Sequence, residues 1–131
     1  MPSVFSRIIT GEIPCYKVAE SEDFLAFLDI SPLAMGHTLV IPKKEVDYIF
    51  DMDDELYSGL MLFSKKVADA VEKAVPCLRV GVAVIGLEVP HAHVHLIPLK
   101  QVSDINFSRP KLHVSSEELK LTADKIRAEF R

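Results

Sequence analysis

A chain of 131 residues, 49% hydrophobic and 26% charged, is long enough to bury a core of its own as one domain, which excludes a disordered or fibrous protein. Its net charge of −4 excludes a surface that grips nucleic acid as a whole and leaves room only for a local phosphate site. Cys15 and Cys77 stand far apart and in no CxxC pattern, which predicts free thiols in a reducing compartment rather than a disulfide or a structural zinc.

Met1 to Arg7 lacks the apolar centre of a secretory signal, and the most apolar run, Val80 to Leu87, is too short to cross a bilayer. A cytoplasmic protein without membrane contact is the expectation. Val4, Phe5, Ile8 and Ile9 then recur at helical spacing after Ser3, an N-cap residue type, and Gly11 supplies a stop, so a short helix is predicted. Tyr16 to Ala19 and Phe24 to Asp29 read as two strands joined by the polar turn Glu20 to Asp23. After a loop containing Pro32 and Gly36, His37 to Ile41 forms a third strand ended by Pro42, with His37, Leu39 and Ile41 on one face.

Asp51, Asp53, Asp54 and Glu55 precede a long periodic segment. Leu56, Leu60, Phe63, Val67, Ala70 and Ala74 make its apolar stripe, Lys65 and Lys66 lie on its solvated side, and Pro76 marks its end. This is the main covering helix. Val80 to Ile85 is a β-branched strand, Gly86 and Leu87 a bend, and Val89 to Pro98 a further strand paired antiparallel to it. A polar stretch reaches Lys111, and a final helix runs to Arg131 from a Ser115 or Ser116 cap. The order helix, three strands, helix, two strands, helix predicts a single α+β domain with a five-stranded, mainly antiparallel sheet.

Successive strand residues face opposite ways, so His91, His93 and His95 form one polar row while Ala92, Val94 and Leu96 pack the other face. Three histidines in strict alternation are a poor choice for filling a core. Zinc is one candidate use. On a straight strand, however, His91 and His95 lie about 13 Å apart at Cα. Zn–N bonds of about 2.0 Å cannot span that without a kink, and no HExxH is present, so no metal and no cofactor is expected. Attack of an imidazole on phosphorus is the other. The attacking ring must be neutral, with its second nitrogen held by a fixed acceptor such as a backbone carbonyl, and His93, with a histidine on either side, suits this best.

The block HAHVHLIP resembles the signature of the histidine triad (HIT) superfamily. VFSRIITGEIPCYKV and FLAFLDISPLAMGHTLVIPKKEV resemble, in the right order, segments of its nucleotide-binding protein branch. The likeness spans residues 4 to 98, the remainder being a carboxy-terminal extension with its own helix. It implies a HIT-like fold whose five-stranded sheets pair into a ten-stranded one in a homodimer. The implied activity is hydrolysis or transfer at the α-phosphate of purine nucleoside monophosphates, by way of a nucleotidyl-histidine. By this resemblance His93 is the nucleophile, His91 and His95 orient it and contact phosphate, and His37 is a fourth histidine beside them. Asp29 would hold the ribose hydroxyls, and Val4, Phe5, Ile8, Ile13 and Phe27 the purine.

Two departures stand out. The family commonly carries an Asn on the strand before the triad and a Gly-Gln-Ser or Gly-Gln-Thr element just ahead of it; here stand Val80-Gly81-Val82 and Gly86-Leu87-Glu88. Gly86 keeps a close backbone approach to phosphate open, whereas Glu88 brings a carboxylate near it. The rival readings are a nucleotide-binding module with little turnover and a dinucleoside polyphosphate hydrolase like the fragile histidine triad branch.

Overall fold

The computed structural model describes residues 2–131. Helix α1 (Val4–Ile9) starts where Ser3 Oγ accepts the Ser6 N–H, as the sequence predicts. Strands β1 (Lys17–Glu20), β2 (Phe24–Leu28) and β3 (Thr38–Pro42) follow. Helix α2 (Asp54–Ala74) is capped by Asp53, whose side chain accepts the Leu56 N–H, and has Asp54 and Glu55 in its first turn. Strands β4 (Arg79–Ala83) and β5 (Val94–Leu99) and helix α3 (Ser116–Glu129) complete the chain. Ser115 caps α3 by accepting the Glu118 N–H, and short 3-10 turns lie at Ile49–Asp51 and Val102–Ile105.

The sheet order is β1-β2-β3-β5-β4 and all four pairings are antiparallel. Strand alternation sends β2 and β3 residues into two cores. Ala26, Leu28 and Val40 face the larger one, built with Leu60, Phe63, Val67, Ala70 and Val71 of α2. Leu25, Phe27, Leu39 and Ile41 face the smaller one, closed by Phe5 of α1. Leu119, Ala123 and Ile126 put α3 into the larger core, where each fully buried aliphatic side chain contributes about 1.5–3 kcal/mol.

The histidine strand is shorter than predicted. Val89 to His93 is irregular, and of the three histidines only His95 lies within β5. Two prolines explain this. Pro90 has no N–H to donate, and β3 runs out at Pro42, whose carbonyl is taken by the His91 ring instead of by a strand neighbour. The alternation of faces nevertheless persists: Ala92, Val94 and Leu96 belong to the larger core and the histidines turn away from it. His37 likewise sits just ahead of β3 rather than inside it.

Candidate functional site

His37, His91, His93 and His95 are all buried. Backbone and hydroxyl groups fix the proton on each ring. The Leu33 N–H donates to His37 Nδ1 at 3.0 Å, so that nitrogen carries the lone pair and Nε2 the proton. His37 Nε2–H then donates to His95 Nδ1 at 2.9 Å, which leaves the His95 proton on Nε2. His93 Nδ1–H donates to the His91 carbonyl at 2.8 Å, and its Nε2, the lone-pair nitrogen, has no hydrogen-bond partner among the described residues. His91 Nε2–H donates to the Pro42 carbonyl at 2.8 Å, while its Nδ1 accepts from Ser3 Oγ at 2.9 Å.

Burial also favours the neutral forms of His37, His91 and His95. It lowers His37 to about 3, helped by His95, Lys111 and His93, and lowers His95 to about 4, helped by His93 and Lys111. His91 moves down for the same first reason, partly offset by the Pro42 carbonyl and Glu45. Asp29, with Oδ2 at 3.7 Å from His37 Nε2, is pushed up by burial and held back by the Ser31 N–H that it accepts.

A cleft opens over these rings. Asp29, His37, His93 and His95 line it with Gly86 and Glu88, and so do Ile85, Leu87, Phe107 and Lys111. Gly86 adopts φ +70°, a left-handed conformation that a Cβ strains, so glycine is required there by the backbone. The Phe107 ring stands edge-on to His95 with centroids 4.8 Å apart. Lys111 Nζ donates to the Phe107 carbonyl at 2.9 Å and is, among the described residues, the one permanent cation lining the cleft.

The apolar set lies elsewhere. Phe5 and Phe27 meet with centroids 5.6 Å apart, Ile8 packs against the same cluster, and Phe5 stands edge-on to His93 at 4.9 Å. Val4 is exposed and Ile13 half-buried, and none of the five lines the cleft. Val4 points outward because α1 turns only one stripe, through Phe5 and Ile8, towards the sheet. Sequence reasoning missed Ile85, Phe107 and Lys111. The one signal for the last two was an isolated aromatic in the polar stretch after the triad.

Asp29, His37 and His95 bring three ligand-type atoms within 4.8 Å of one another. The tautomers oppose a cation there. Metal on His37 Nε2 would require its proton on Nδ1, where it would confront the Leu33 N–H.

The HIT domain family model matches residues 10–102. The chain belongs to the HIT family. Among family members, a HIT-like protein of Borreliella burgdorferi is 37% identical over 125 residues, covering 89% of this chain and 90% of the relative. The adenosine 5′-monophosphoramidase of Schizosaccharomyces pombe is 32% identical over 133 residues, covering 100% of both chains. The crystal structure of a HIT-like protein involved in cell-cycle regulation from Bartonella henselae superposes with a TM-score of 0.84 at 35% identity, covering 97% of this chain and 95% of that one. No helix among the described residues is long and apolar enough to cross a membrane.

Proposed function

We propose that this HIT protein is a metal-independent nucleotidyl hydrolase or transferase acting on purine nucleoside monophosphates with an amide leaving group. The observation that carries the reading is the His93 ring: Nδ1–H is held by the His91 carbonyl, so the neutral ring has its lone pair at Nε2, in a cleft. The phosphoramidase activity named for the fission-yeast relative supports the choice of leaving group.

In the first step Nε2 bonds to the α-phosphorus as the bond from phosphorus to the leaving nitrogen breaks. In the second, water adds to phosphorus and the bond to Nε2 breaks. The leaving nitrogen takes a proton as it departs in the first step, for which His95 Nε2–H is a donor in the cleft, and the water of the second step returns that proton and leaves its hydroxyl on phosphorus. His95 Nε2–H is a donor for the phosphoryl oxygens, Asp29 an acceptor for the ribose hydroxyls, and Lys111 a counter-charge. Ile85, Leu87 and Phe107 are the apolar lining of the cleft against which the base would lie, with Phe5 backing the His93 ring.

The test is hydrolysis of adenosine 5′-phosphoramidate by wild type and His93→Ala, with and without chelator. Chelator-insensitive turnover that falls by at least about a thousand-fold in the variant is expected. Ordinary turnover by His93→Ala would sink the mechanism, and loss with chelator would restore a metal. Nucleotide binding without His93-dependent product would favour the binding-module reading, which Leu87 and Glu88 in place of neutral donors motivate. Faster cleavage of dinucleoside polyphosphates than of the amide would favour the other enzymatic reading.

The assembly we propose is a homodimer in the cytoplasm, joined along β4. That strand is one of the two sheet edges, β1 being the other, and Leu78, Val82, Ile85 and Leu87 are exposed along and beside it.

A further inference from the structure

Glu45 lies outside the cleft, three residues beyond the end of β3. Its Oε1 accepts two hydrogen bonds from the start of the chain, the Ser3 N–H at 2.7 Å and the Ser6 hydroxyl at 2.6 Å. The only hydroxyl proton of Ser6 is thereby committed. Ser3 Oγ accepts the Ser6 N–H at 3.0 Å, which leaves its own proton for His91 Nδ1 at 2.9 Å. From His91 the chain of bonds continues through its carbonyl to His93 Nδ1–H at 2.8 Å.

We propose that Glu45 is a positioning residue for the triad: its carboxylate orders the Ser3 and Ser6 hydroxyl protons, which fixes the tautomer and seat of the His91 ring and so the place of the His91 carbonyl that holds His93 Nδ1–H. The kinetic part of this proposal rests on the reading of His93 as nucleophile. The hydrogen-bond part does not.

An acceptor is needed because of what surrounds Ser6. Its hydroxyl stands 3.4 Å from both Ser3 Oγ and His91 Nδ1. Without Glu45 its proton is free to turn to His91 Nδ1, where it competes with the Ser3 hydroxyl for one imidazole lone pair. The same two serines are also the polar ties of α1 to the sheet side among the described residues, so releasing them frees the helix whose Phe5 stands against His93. The donors that order Glu45 keep it ionised: the Ser6 hydroxyl and the Ser3 N–H lower it to about 2.

The experiment compares wild type, Glu45→Ala, Glu45→Gln and Ser3→Ala by imidazole nitrogen NMR and by hydrolysis of adenosine 5′-phosphoramidate, with thermal midpoints as the control for folding. In wild type the spectra should show single neutral tautomers, Nδ1-protonated for His93 and Nε2-protonated for His91. Glu45→Ala and Ser3→Ala should mix the His91 tautomers and lower kcat about ten-fold, with KM held within about two-fold. Glu45→Gln, whose amide oxygen still accepts both bonds, should recover wild-type spectra and rate. Unchanged spectra and kcat in Glu45→Ala would overturn the proposal, as would a Glu45→Gln as impaired as the alanine variant. Were wild type itself inactive on this substrate, the functional reading would fail and the spectra alone would decide the role of Glu45.

Discussion

At the residue scale the site is a set of neutral imidazoles whose proton positions the backbone dictates, and acid is its weakness. His37 and His95 titrate near 3 and 4 in the folded chain but near 6.5 when unfolded. Between those values the unfolded chain binds more protons, so stability is fully present above about pH 6.5 and is lost as pH falls towards 4. Asp29, shifted up, opposes this over part of the range. Chemical denaturation at pH 7 and pH 4 should show a loss on the order of 3 kcal/mol, and a His37→Gln variant should flatten the profile. Lys111 gives a second prediction at this scale. It lines the same cleft as Asp29 and Glu88, so Lys111→Gln should raise KM about five-fold for substrates with a charged leaving group and less for a neutral amide, read by steady-state kinetics. The sequence showed the histidines because alternation is a one-dimensional pattern. It could not show Lys111 or Ser3 and Glu45, which meet the triad only after the chain has folded back across many residues.

At the element scale, helices were the most legible part, because an N-cap, an acidic first turn and an apolar stripe are all local. Ser3 and Ser115 cap their helices where the sequence points to them, and Asp53, one of the acidic residues it places before the main helix, caps that one. The end of β5 was not legible, because the pairing of Val89 to His93 depends on how far β3 extends beside it. Nor did the extension after Pro98 reveal its place from composition. In the fold α3 is part of the main core, with Ile126 wholly buried. Ile126→Ala should therefore cost about 2–5 kcal/mol in urea unfolding, as a core residue does and a peripheral helix would not. A cost below about 1 kcal/mol would detach α3 from the core.

On the scale of the whole molecule, the exposed apolar edge at β4 is the surface on which the proposed homodimer rests. Val82→Lys places a charge on that edge and should convert a dimer into a monomer in sedimentation equilibrium at micromolar concentration, whereas wild type already monomeric there would refute the proposed pairing. The strand order carries one more consequence, for the chain as it is being made. β5 is among the last elements to be synthesised, yet it sits between β3 and β4 and holds the middle of the sheet. On the ribosome, β3 must wait with one edge unpaired while α2 and β4 emerge, and the sheet can close only after Leu99 has cleared the exit tunnel. Nascent chains arrested before that point would expose the β3 edge to any strand nearby, making this interval the one in which a chaperone matters most.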